Sequence, residues 1–169
     1  MMLAESYVLL PPLFCLAGYT EIRYNRIPNY ATVTAFFLAL GSAFCFHGTD
    51  GFCSSLIGAA VGGGVMLPFC LAGALGGGDF KLMTAVGAIV GWPMVFRALY
   101  FSALAGGIMA LLLLLWKDRL FSELAQMFRS FFFRKEKREN SGLRRGLTLP
   151  YGLAIALGTV FAIFREMFQ

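Results

Sequence analysis

Two acidic side chains in this chain stand where an acid is costly to keep. Glu21 closes the first apolar run, and Asp79 follows the glycine run Gly76-Gly77-Gly78 at the mouth of a later one. An acid at the edge of hydrocarbon is a candidate for chemistry by default, although an acid beside a loop can simply be solvated. The setting favours Asp79. Glycines permit backbone angles and close approaches that side chains block, so Gly76 and Gly78 are expected to shape a site around it. The other residue types able to bind or react are scattered. Cys15, Cys45, Cys53 and Cys70 lie in or beside apolar segments, with no CxxC pair and with His47 as the one imidazole. That spacing argues against a metal site. The cysteines read as small buried hydrophobes, and no cofactor is expected.

The elements that must position the two acids are membrane helices. Of the 169 residues, 59% are hydrophobic and 14% charged, and the mean hydropathy is +0.73. The apolar runs are hydrophobic on every face, as membrane spans are and the surface helices of soluble domains are not. Six such runs are expected to form an all-α polytopic bundle, a single transmembrane domain over residues 1–169. They cover residues 6–20, 30–46, 52–75, 80–91, 93–116 and 147–163. Pro11 and Pro12 should kink or tilt the first. Glu5 near its start, with no basic segment before it, makes it a span rather than a cleavable signal. In the third, Gly58, Gly62, Gly63 and Gly64 suit close helix contact. The fourth, at about 12 residues and ~18 Å of helical rise, is too short to cross unless Asp79 is drawn into the membrane. Trp92 and Pro93 mark the opposite interface.

The net charge of +5 reads as orientation and not as nucleic-acid binding, because Lys and Arg fill the gaps between apolar runs without an aromatic-interleaved basic face. With the N-terminus outside, twelve of the 14 Lys and Arg fall on the inner side: Arg23, Arg26, Lys81 and the nine between Lys117 and Arg145. Arg97 and Arg165 remain outside, a distribution that obeys the positive-inside rule. Residues 117–145 alternate charge with Phe and Leu at helical spacing, so a basic amphipathic loop lying on anionic lipid is expected there. Glu21 and Asp79, 58 residues apart in sequence, then share the cytoplasmic side, where they could meet. Lys81, Arg23 and Arg26 read first as snorkelling anchors and second as groups that dock a substrate. Pro28 and Asn29 suit a helix start, as do Pro150, Tyr151 and Gly152.

Three stretches, Glu21-Ile-Arg-Tyr-Asn-Arg-Ile-Pro-Asn29, Gly76-Gly-Gly-Asp-Phe-Lys-Leu82 and Leu149-Pro-Tyr-Gly-Leu-Ala-Ile-Ala-Leu-Gly158, together resemble the short form of the prepilin peptidase family, membrane aspartic proteases of the GxGD type. The motifs fall in the family's order, and the six-run layout matches over nearly the whole chain. The resemblance implies that Glu21 and Asp79 are the two catalytic carboxylates, although the family carries Asp at the first position. One carboxylate takes a proton from water while the other, protonated, polarises the scissile carbonyl. An extra methylene moves a carboxylate by about 1 Å, a displacement able to cost about a hundredfold in rate, so Asp at position 21 is expected to serve at least as well as Glu.

The implied activity is cleavage of the short basic leader of a prepilin-like precursor, at the cytoplasmic face of a bacterial-type inner membrane. The resemblance further implies no N-methylation, which longer members carry out with an insertion bearing paired cysteines. The expected partners are the precursor and membrane lipid, with no nucleic acid. Two other classes remain open. Glu21 in place of Asp suits a catalytically silent scaffold of pilus assembly. A small transporter would also use a glycine-broken helix with an intramembrane acid, although no inverted repeat relates the first three runs to the last three.

Overall fold

The computed structural model describes residues 3–24, 28–72, 75–116 and 151–168, and among these there are helices and short turns but no strand. The all-α expectation holds. In chain order the helices are α1 (Leu3–Tyr24), α2 (Asn29–Leu71), α3 (Gly77–Val90), α4 (Met94–Trp116) and α5 (Tyr151–Met167). Two units divide the chain, residues 1–106 with 150–169, and residues 107–149. Of the second unit the described part is the end of α4. The basic loop expected at 117–145, together with Arg26 and Pro150, lies outside the described residues.

Helix α1 runs through Pro11 and Pro12 and continues past Glu21 to Tyr24, one turn beyond the expected end. The polar residues there do not stop it, because Thr20 donates its hydroxyl back to the carbonyls of Leu16 and Ala17 within the same helix. Helix α2 is 43 residues long and would span about 65 Å if straight. It is broken at Gly48, whose φ of 63° and ψ of −147° lie where side chains are excluded. A Cβ on Gly51 would fall 2.5 Å from the Ala43 carbonyl oxygen, whereas eight residues of straight helix advance about 12 Å. The chain therefore folds back at Gly48, and Phe44 meets Phe52 edge to face across the turn. The limbs, residues 29–47 and 49–71, are each of about bilayer length, with the turn where the expected runs two and three part.

Helix α3 is the buried centre. Leu82, Met83, Ala85, Val86, Ala88 and Ile89 are all shielded, and α2 packs along it most extensively. The contact is made by small residues. Gly58 abuts the backbone of Gly87, Gly62 the Met83 carbonyl and Gly63 the Thr84 hydroxyl, whereas Gly64 faces open space. Ser55 donates to the Ala88 carbonyl at 2.7 Å. Helices α4 and α5 meet the same way, with Gly158 against the backbone of Ser102 and the Ser102 hydroxyl on the Ile155 carbonyl at 3.3 Å. Large apolar side chains such as Phe37, Leu38, Leu56, Leu104 and Phe161 point outward instead. Small residues where the helix backbones touch and many large ones outward is the arrangement of helices whose solvent is lipid, where association depends on close backbone approach rather than on hiding apolar surface.

That arrangement corrects the reading of the cysteines as buried. Cys15, Cys45 and Cys53 are exposed and Cys70 is half-buried, because glycine, alanine and serine take the contact positions and an apolar thiol gains nothing from the interior when lipid lies outside. Among the described residues two helices, α2 and α4, are long and apolar enough to cross a membrane, while the apolar stretch Val8–Glu21 of α1 is shorter.

Candidate active site

Glu21 lies in the last turn of α1 and is only 8% exposed. Its Oε1 accepts the N–H of Gly152 at 3.0 Å and its Oε2 the N–H of Leu153 at 3.1 Å. These are the second and third residues of α5, whose first-turn amides have no carbonyl partner in their own helix. Glu21 therefore caps a helix that starts 130 residues further along the chain. The positive end of the helix dipole favours the negative charge placed there. The expectation that Asp would serve at least as well is set against a geometry in which Glu uses its length to reach two amides of another helix, a reach that one methylene less would shorten.

Asp79 is the third residue of α3, and its Oδ2 accepts the N–H of Gly76 at 3.2 Å. Gly76 is extended, with φ −72° and ψ 147°, and a Cβ on it would stand 3.1 Å from that same Oδ2. Gly76 thus acts by closeness to the carboxylate. Gly78 lies in the first turn of α3, and among the described residues the glycines with left-handed backbone angles are Gly48 and Gly91, both remote from Asp79. The special angles expected of the glycine run are needed instead at two turns, because the run itself begins a regular helix.

The carboxylates of Glu21 and Asp79 interact electrostatically, and Asp79 also interacts with Tyr151. The N-termini of α3 and α5 therefore converge on two acids, and among the described residues no cation pairs with either. Backbone dipoles take the place of a counter-ion. Two carboxylates that repel one another hold one proton between them more readily than two full charges, which is the state general acid–base work on a carbonyl requires.

The remaining candidates fall into two groups. Tyr151 opens α5 with its ring seated on Gly106, where a Cβ would meet the ring at 2.7 Å, and Gly152 holds Glu21 by its amide. Lys81 instead donates to Asn29 Oδ1 at 2.9 Å, which pins α3 to the start of α2. Pro28 is the residue before α2, at φ −71° and ψ 134°, and its carbonyl accepts from Ala31. Leu153 is the residue that the sequence did not disclose. It contributes a backbone amide, which no side-chain pattern announces, and the available signal was the helix start after Pro150, since helix starts hold anions.

At the other end of α3 a cleft of about 560 Å³ is lined by His47, Asp50, Trp92, Arg97 and Glu166 among others. There Arg97 and Glu166 form an ion pair, and the Trp92 amide and carbonyl both bond to the Ser54 hydroxyl.

A model of the type IV leader peptidase family matches residues 8–111, a span that holds both carboxylates and ends before α5. A prepilin leader peptidase/N-methyltransferase of Bacillus subtilis (strain 168) is 33% identical over 105 residues, which is 60% of this chain and 41% of that protein. The aligned part thus spans about two fifths of the length of that curated relative. No solved structure matches the chain.

Proposed function

The chain belongs to the type IV leader peptidase family, and from that premise we propose that it is a membrane aspartic endopeptidase. In this reading it removes the short leader of a prepilin-like precursor at the cytoplasmic face, with Glu21 and Asp79 as its catalytic pair. The reading is supported by the electrostatic interaction of these two carboxylates, each held by amides at a helix start, α3 for Asp79 and α5 for Glu21, with no cation among the described residues to neutralise them. Water and a scissile carbonyl placed between them would find one group to accept a proton and one to donate it.

The rest of the proposal rests on the sequence. Six crossings, with the limbs of α2 counted separately, and an inside that collects twelve of the 14 Lys and Arg set the pair toward the cytoplasm of a bacterial-type inner membrane. The basic loop at 117–145 lies on anionic lipid. Methylation is left out because the four cysteines fall singly along α1 and α2, whereas the resemblance ties that second activity to paired cysteines in an insertion. A catalytically silent scaffold is the second reading, favoured by one observation: both Glu21 oxygens are already occupied in capping α5.

Purified protein in detergent or lipid, incubated with a candidate prepilin and followed by gel mobility, decides between them. A shortened product that disappears with Asp79→Asn supports the peptidase. An intact precursor under conditions where a known prepilin peptidase cuts it supports the scaffold.

A further inference from the structure

We propose that the first turn of α5 divides the work between the two carboxylates: the Gly152 and Leu153 amides hold Glu21 as the ionised member, and the proton shared by the pair rests on Asp79. The inference builds on the catalytic pair proposed above and assigns its roles.

Amide N–H groups can only donate, so both oxygens of Glu21 are committed as acceptors. Hydrogen bonds of this kind are made to the charged form of a carboxylate and are about twice as strong as neutral ones. They come, moreover, from the positive end of a helix. Asp79, in the first turn of α3, also stands at the positive end of a helix, but with fewer donors: its Oδ2 accepts one amide, that of Gly76, and its Oδ1 has no hydrogen bond among the described residues. A proton on Oδ1 of Asp79 displaces nothing, whereas a proton on Glu21 weakens bonds on both of its oxygens. The third titratable group facing the pair, Tyr151, is a neutral phenol, and Lys81, two residues beyond Asp79, is engaged by Asn29.

The division fixes the direction of proton flow in peptide hydrolysis. Glu21 takes a proton from water as the water oxygen bonds to the scissile carbonyl carbon, and Asp79 gives its proton to the carbonyl oxygen. In the collapse of the resulting gem-diol the C–N bond breaks. The proton on Glu21 then passes to the leaving amine, and a hydroxyl of the diol returns its proton to Asp79. Both side chains end as they began. Leu153, which lies beyond the family match, is on this account a positioning residue through its amide.

The test is isotope-edited infrared spectroscopy of the full chain in lipid without substrate, using protein labelled with ¹³C at either aspartate or glutamate carboxyls. The difference spectrum between the parent and Asp79→Asn isolates the pair. The expected result is a protonated-carboxyl C=O band that moves with labelled aspartate, is unmoved by labelled glutamate and is missing in Asp79→Asn. A band that moves with labelled glutamate and is lost in Glu21→Gln overturns the assignment, as does the absence of any protonated carboxyl at the pH of activity. Leu153→Pro supplies the second readout. It deletes one donor at a first-turn position where α5 offers that amide no carbonyl and proline is tolerated, and part of the band should pass to labelled glutamate. An unchanged distribution would show that the α5 amides do not set the proton's place. These spectra need no cleavage. An aspartate band in a chain that never cuts a prepilin sinks the peptidase reading alone, and a glutamate band in an active chain sinks this inference alone.

Discussion

The two ends of α3 handle charge in opposite ways. At its C-terminal end the charged and polar groups are matched side chain to side chain or side chain to backbone, as in Arg97 with Glu166 and Ser54 with Trp92. At its N-terminal end two acids interact, and what steadies them is the backbone: the amides of Gly76, Gly152 and Leu153 and the positive ends of two helices. On the proposed function, the difference separates a closed end from a reactive one. An ion pair satisfies both partners and leaves nothing to exchange, whereas two carboxylates held by amides remain able to pass a proton between themselves and a bound substrate.

The contrast breaks most sharply at Asp79. Replacing it with Asn removes the acid and keeps the shape, so cleavage of a prepilin should fall by about 10²- to 10⁴-fold in a single-turnover assay, with the protein still membrane-inserted. Retained cleavage would erase the distinction between the two ends. Glu21→Asp comes next: with the reach to the α5 amides shortened, cleavage should slow by about ten- to hundredfold. A rate equal to the parent's would mean that the cap on α5 is unrelated to catalysis.

The packing between the two ends gives a smaller, structural effect. Gly58→Val drives a side chain into the Gly87 backbone, and overpacking of this kind costs about 1–3 kcal/mol, visible as a lower midpoint of thermal unfolding in detergent. Gly64→Ala, where nothing lies within 4 Å, should leave the midpoint nearly unchanged. If both variants melt alike, close approach of α2 to α3 is not what holds the bundle. The smallest effect belongs to the closed end. Arg97→Gln breaks a half-exposed ion pair, so it should change stability by less than about 1 kcal/mol and leave the cleavage rate within about twofold of the parent. A large loss of cleavage would show that the cleft at this end of α3 takes part in the reaction after all.

Much of the framework was legible because it depends on local rules. All-round hydrophobicity announced membrane helices, the turn at residues 47–51 was marked by polar residues and glycine, and Gly58, Gly62 and Gly63 revealed a face made for close contact. Where sequence and structure part, the cause is a rule that belongs to water or to local chain chemistry. Avoidance of water puts the cysteines inside, yet lipid imposes no such demand. A glycine run permits unusual angles at Gly78, yet α3 begins as a regular helix at Gly77.

The sequence by itself determined which residues are apolar over bilayer-length runs and which acids stand at the ends of those runs. These follow from the order of side chains along one dimension. Tertiary structure alone decided what Glu21 touches, because its partners are backbone amides 131 and 132 residues away. Every residue but proline carries such an amide, so no residue type marks the ones that matter. Only the convergence of α1, α3 and α5 selects Gly152 and Leu153 for Glu21 and brings Asp79 within electrostatic reach, and that convergence is a matter of how the three helices pack on one another.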